Sequence, residues 1–181
     1  MPLFSRSRPD VPAVPPLDPA VLAGLETQGG EKPLAHAWDD DGRAFIATRL
    51  ALFVPIGSTG RHRRIPWYQV QTAEWDRDAG VLTLGEWAGA GEQRVITRAT
   101  FTAADLLLTV LRERVTASLV LTRTEGVEGT DVFVTASIRR RPDDGELLVQ
   151  TSYPAGVDHR LPEVVAAAER AESQARDDVG L

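Results

Sequence analysis

The sequence contains no cysteine. Disulfides, thiolate nucleophiles, Cys-ligated zinc and iron–sulfur clusters are therefore excluded. No apolar run approaches the roughly 18 residues that a membrane-spanning helix needs. The opening stretch MPLFSRSRPDVPAVPPLDPAVLAG does not read as a signal peptide, because prolines and aspartates interrupt any apolar core. The expected compartment is the cytoplasm. An excess of positive charge is missing as well: the formal net charge is -6. Nucleic acid and anionic membranes are held by clustered Lys and Arg, so an acidic chain is a poor generic binder of either. Nucleic acid is not expected as a partner.

Local catalytic signatures are also lacking. No G-x-S-x-G occurs. GSTG at 57–60 has no Lys after it, as a phosphate-binding loop would. GAGEQR at 89–94 starts like a dinucleotide fingerprint but has Arg94 where the third glycine belongs, and it lies between two predicted strands. His36, His62 and His159 are scattered, with no metal-ligand spacing. Asp39, Asp40 and Asp41 lack the alternate ligands and terminal Glu of a calcium loop. No catalytic, cofactor-binding or metal-ligating residue is assigned, no cofactor is expected, and the chain is not expected to be an enzyme.

What is present is 181 residues with 43% hydrophobic content, enough for a real core. Residues 1–30 read as a disordered or partly helical arm. It is Pro-rich up to about residue 16, then carries a short helix with Asp18 as N-cap and Pro19 at the first helical position. Strands are expected at Pro33 to Trp38, Arg43 to Thr48, Leu50 to Pro55, within 64–75, at Val81 to Trp87 and at Gln93 to Ala99. Asp41-Gly42 and Asp78-Ala79-Gly80 are turn signals. The period then changes. Ala104, Leu107, Leu108, Leu111 and Val115 lie on one helical face, which predicts a helix from 103 to about 115 with Thr102 as N-cap. Leu106 widens its apolar face.

Residues 117–181 read as a three-stranded meander and a C-terminal helix, packed on the first part. Val132, Val134, Ala136 and Ile138 alternate with Phe133, Thr135, Ser137 and Arg139, as in a strand with one buried face. Leu147, Val149, Thr151 and Tyr153 form the inward set of the last strand, after a turn at Asp144-Gly145. The final helix opens at Pro162 and stops near Gly180. Its apolar positions are mostly alanine, which predicts weak docking or fraying.

Seven short strands followed by one well-covered helix resemble a pleckstrin-homology-like (PH-like) domain. The residues carrying this are PLAHAW, AFIATRLALFVP, RIPWYQVQTAEWDRDAGVLTL and the helix ending LRERV. In this order they are similar to bacterial PH-like proteins, and to small actinobacterial proteins with an IPW…V…WDRD.G.L segment. The resemblance covers about residues 31–116. It implies an α+β fold, with a PH-like seven-stranded antiparallel barrel or bent sheet capped by the helix. It also implies a non-catalytic binding or scaffolding role with a protein partner. Phosphoinositide-binding members place Lys and Arg around the first hairpin. Here that loop is Asp39-Asp40-Asp41-Gly42 followed by Arg43, which would repel a phosphorylated head group.

The segment 61–87 holds Trp67, Trp75 and Trp87 behind an Arg-His-Arg-Arg run. Two readings of the indoles stand: barrel wall, or a rim position that holds a peptide or ring. Arg61, His62, Arg63 and Arg64 are read as a loop. It is either simply solvated or a candidate anion or partner contact, and it is the basis for a candidate peripheral membrane contact through lipid head groups. The wall reading predicts buried Trp67 and Trp75 and exposed Arg61 to Arg64. Oligomeric state is left open by the sequence.

Overall fold

The computed structural model describes residues 14–28, 30–92 and 94–181. Residues 1–13 of the expected arm, Gly29 near its end and Gln93 at the start of one expected strand lie outside the described residues. The fold is α+β, with antiparallel sheets and three helices. After helix α1 (Pro19–Ala23), strands β1 (Pro33–Trp38), β2 (Ala44–Thr48), β3 (Ala51–Pro55) and β4 (His62–Pro66) form one meander. A 3-10 turn, Trp67–Gln69, leads into β5 (Val70–Asp76), β6 (Val81–Glu86) and β7 (Val95–Thr100), a second sheet. The expected seven strands are present, but they divide into a four-stranded and a three-stranded sheet, and neither sheet is closed. One backbone bond, from Asp40 N–H to the Thr100 carbonyl, ties the two sheets at one corner.

Helix α2 (Asp105–Ser118) packs on the paired sheets. Its Leu107, Val110 and Leu111 join Phe45, Leu52, Ile65, Trp67, Val70, Leu82 and Leu84 in one core. Two details of the expected helix change. Ala104, not Thr102, occupies the N-cap position, and the Thr102 hydroxyl instead donates to the Asp40 carboxylate. Leu106 faces solvent at 60% exposure, because the buried stripe runs through 107, 110 and 111.

The first sheet is covered on its other side too. Ile46 and Phe53 pack with Leu25, against Leu17, Val21 and Trp38. This explains why β2 and β3 read as continuous apolar runs rather than alternating ones. The arm is fastened from its first described residues onward: the Pro15 carbonyl accepts from Trp38 Nε1 at 3.1 Å and from His36 Nε2 at 2.7 Å. Asp18 caps α1 as expected, accepting from Ala20 N–H at 2.7 Å. Two of the hairpin turns share one device, an aspartate that accepts from backbone two or three residues on. Asp76 accepts from Asp78 and Ala79, and Asp144 from Glu146.

A third sheet follows α2 without a linker: β8 (Leu119–Gly126), β9 (Phe133–Arg140) and β10 (Leu147–Ser152), in the order β10-β9-β8. Val134, Ala136 and Ile138 are fully buried against α3 (Pro162–Val179), as the alternation requires. The expectation that α3 docks weakly is overturned. Ala167, Ala171 and Ala175 are fully buried. Their small side chains let the helix backbone sit close to the sheet, so alanine here is the fitted residue and not a weak one. Leu at position 171 should overpack this seam. Ala171→Leu is expected to cost about 1–3 kcal/mol in urea unfolding. Ser173→Leu, on the exposed side, should stay within about 0.5 kcal/mol.

Candidate functional site

The four residues of the basic run do not form a loop. His62, Arg63 and Arg64 lie in β4 and are half-buried, and only Arg61 is exposed. Alternation along the strand sends them to different partners. Arg63 reaches across to the second sheet and pairs with Glu86 through both terminal nitrogens. That contact holds the Arg63 guanidinium above its ordinary range, the hydrogen bond to Glu86 outweighing partial burial. Arg64 meets Glu31 at 3.5 Å. Glu31 is itself a buried staple, accepting from Thr48 Oγ1, Leu50 N–H and Gln28 N–H. The His62 ring bonds the Ala44 carbonyl at 3.0 Å. The run is thus three separate structural ties and one exposed arginine, Arg61, with no side-chain partner among the described residues. The acidic first hairpin is neutralised in the same way, with Arg43 bonded to Asp39 and Asp41.

The tryptophans also separate. Trp67, 1% exposed, fills the corner where the first sheet turns into the second, and its Nε1 donates to the Thr48 carbonyl at 3.1 Å. Trp75 is half-buried at the rim, packed on the core and 6.5 Å from the Phe101 ring. Trp87 is half-buried on the outside of the second sheet and donates Nε1 to the Thr151 carbonyl. The wall reading therefore holds for Trp67, whereas Trp75 and Trp87 each line an open cleft.

The Trp75 cleft is the larger of the two. Among the described residues strand β5 pairs only with β6, so its other edge has no strand beside it. Beside it, α2 leaves a groove of about 790 Å³. Trp75, Leu82, Leu108 and Val115 supply its apolar lining, and Arg77, Arg112 and Asp105 its charges. Among the described residues neither Arg77 nor Arg112 has a carboxylate within salt-bridge distance. The sequence pointed to Trp75. It did not single out Arg77 or Arg112, which look like ordinary surface arginines until β5 and α2 come together.

The junction with the third sheet is polar. Gln150 Nε2 donates to the Tyr68 carbonyl at 2.8 Å, and Gln71 Nε2 to Ser152 Oγ at 2.6 Å. Arg139 is buried there, donating to Ser118 Oγ at 3.0 Å and to the Gln71 carbonyl. Burial lowers its pKa, and no carboxylate compensates. Alternation does send Arg139 to the polar face of β9, but that end of the face is pressed onto the first unit. Among the described residues no group of three or more His, Asp or Glu is placed to hold a metal, and no helix is long and apolar enough to cross a membrane. Comparison with protein-family models, with curated proteins and with solved structures finds no match.

Removing Arg63 strands the nearly buried Glu86 carboxylate. Because Arg63 is itself 40% exposed, Arg63→Ala should cost less than a fully buried pair, about 1–3 kcal/mol by chemical denaturation. Arg61→Ala should stay within about 0.5 kcal/mol. Equal effects of the two substitutions would contradict these separate roles.

Proposed function

We propose that the chain is a non-catalytic protein-interaction module whose first unit has the PH-like arrangement. Its contact site in this reading is the groove between β5 and α2. The observation that carries the proposal is the unpaired edge of β5 running beside an apolar groove that contains Trp75. An exposed strand edge offers backbone donors and acceptors to an incoming extended chain, and pockets beside it select side chains. The occupant is an extended segment of a partner protein bearing an apolar residue for the Trp75–Leu108 surface. Acidic neighbours on that segment would meet Arg77 and Arg112, which line the groove. The cytoplasmic location expected from the sequence suits such a role, and so does a bacterial source of the kind the resemblance suggests.

The rival reading, a peripheral anion or lipid-head-group binder using residues 61–64, has less support. Arg63, Arg64 and His62 are engaged within the protein, which leaves Arg61 alone.

A displayed library of random linear peptides, selected on the immobilised protein, tests the proposal. Enriched peptides should share an apolar residue flanked by Asp or Glu. Arg112→Glu should weaken their binding by about tenfold or more, and added salt should weaken it further. Arg61→Ala should leave it unchanged. Peptides that bind the Arg112→Glu and Trp75→Ala proteins as well as the parent, or a selection with no shared pattern, would remove the groove from consideration. Sedimentation with acidic vesicles, abolished by Arg61→Ala, would favour the rival instead.

A further inference from the structure

The second cleft lies on a different face and is made of different chemistry. Leu82, Leu84 and Glu86 of β6 point inward, so Gly85 and Trp87 face outward. Gly85 pairs with Ile96 and Glu86 with Val95, which puts Arg94 opposite Trp87 on that outer face. A side chain at Gly85 would collide with Thr72 Oγ1, at 2.4 Å. The Arg94 stem and Ile96 lie in ordinary contact range of the same position, at 3.5 and 3.6 Å.

The facing wall comes from the third sheet and the turn after it. Thr151, Ser152, Tyr153 and His159 enclose a cleft of about 450 Å³ with Gln71, Trp87 and Arg94. The Trp87 ring is held in place by its bond to the Thr151 carbonyl, and the Gln71 amide by its bond to Ser152. Tyr153 and His159 are ring neighbours at 5.8 Å. His159 in turn lies so close to Gly91 that any side chain there would stand 2.6 Å from the imidazole. A side chain at Gly91 would therefore require the imidazole to move. Several walls of the cleft are thus fixed before any ligand arrives, which lowers the ordering cost of binding.

We infer that this cleft is a binding site for a small planar carboxylate, of the size of one or two fused rings. Trp87 and Tyr153 supply aromatic lining, which favours a flat apolar body. Arg94 offers a planar guanidinium, which suits a carboxylate. Among the described residues Arg94 has no carboxylate within salt-bridge distance. The neighbouring acid, Glu92, also lines the cleft, with its carboxyl group folded back over Gly89. Burial and the Glu172 carboxylate hold the Tyr153 phenol above its usual range, so it adds no negative charge to the cleft. This site is independent of the β5–α2 groove, shares no residue with it, and stands or falls separately.

The test is a titration of the nitrogen-15-labelled full chain, following the Trp87 indole N–H resonance, assigned by its loss in Trp87→Phe. Sodium benzoate should shift this resonance saturably below about 10 mM. Benzamide, the same ring without the charge, and cyclohexanecarboxylate, the same charge without the flat ring, should each bind more weakly. The loss expected for benzamide is about tenfold or more. Arg94→Ala should reduce benzoate affinity by a similar factor while leaving the thermal midpoint unchanged, since Arg94 is exposed. Any of three results would overturn the inference: no saturable shift, equal affinity for benzoate and benzamide, or unchanged benzoate affinity in Arg94→Ala.

Discussion

The burial of Trp67 is the contact on which the first unit depends. It sits in the 3-10 turn between β4 and β5, at the point where one sheet becomes the other. A buried aromatic of this size removes roughly 150–250 Å² from water, worth about 4–6 kcal/mol as an upper bound. Its polar atoms are also satisfied. The indole donates to Thr48, and its backbone N–H to the Leu50 carbonyl. Ser118 Oγ at the end of α2 reaches its carbonyl at 3.4 Å. Both sheets and the helix are therefore referenced to one residue.

The Trp67 corner does not seal the whole of the second sheet. Among the described residues β5 has no strand neighbour beyond β6, and α2 runs beside that edge without covering it. A half-buried indole results, touching the core through one side and the groove through the other. The third sheet does not close this gap either. It docks through Gln71, Gln150, Arg139 and Trp87, a set of hydrogen bonds rather than an apolar seam. A polar junction of this kind tolerates a water-accessible cleft at its margin, and that is where the second candidate site lies.

Much of the fold could be read from periodicity. β1 falls on Pro33 to Trp38 as expected, the Asp18 cap is real, and Val134, Ala136 and Ile138 are inward. Local chemistry decides such features, so local reading finds them. The misses share a different cause. Arg63 and Arg64 look like solvated charge until Glu86 and Glu31, more than twenty residues away, are brought alongside. Arg139 looks outward-facing until another unit covers its face. The alanines of α3 look like weak apolar residues until the sheet approaches closely enough to need them. Partners distant in sequence leave no trace in spacing. The candidate sites were legible only as Trp75 and Trp87; the arginines beside them became meaningful with the topology.

The central claim is that β5 is an available edge, held rigid by the Trp67 corner. Amide hydrogen exchange of the free protein tests it most directly. In a true edge strand, alternate N–H groups point away from the only neighbour and exchange fast. Alternate amides of residues 70–76 should exchange at least about a hundredfold faster than those of β6, which is paired on both sides. Uniform protection along β5, equal to that of β6, would mean that the edge is already occupied and would contradict the account.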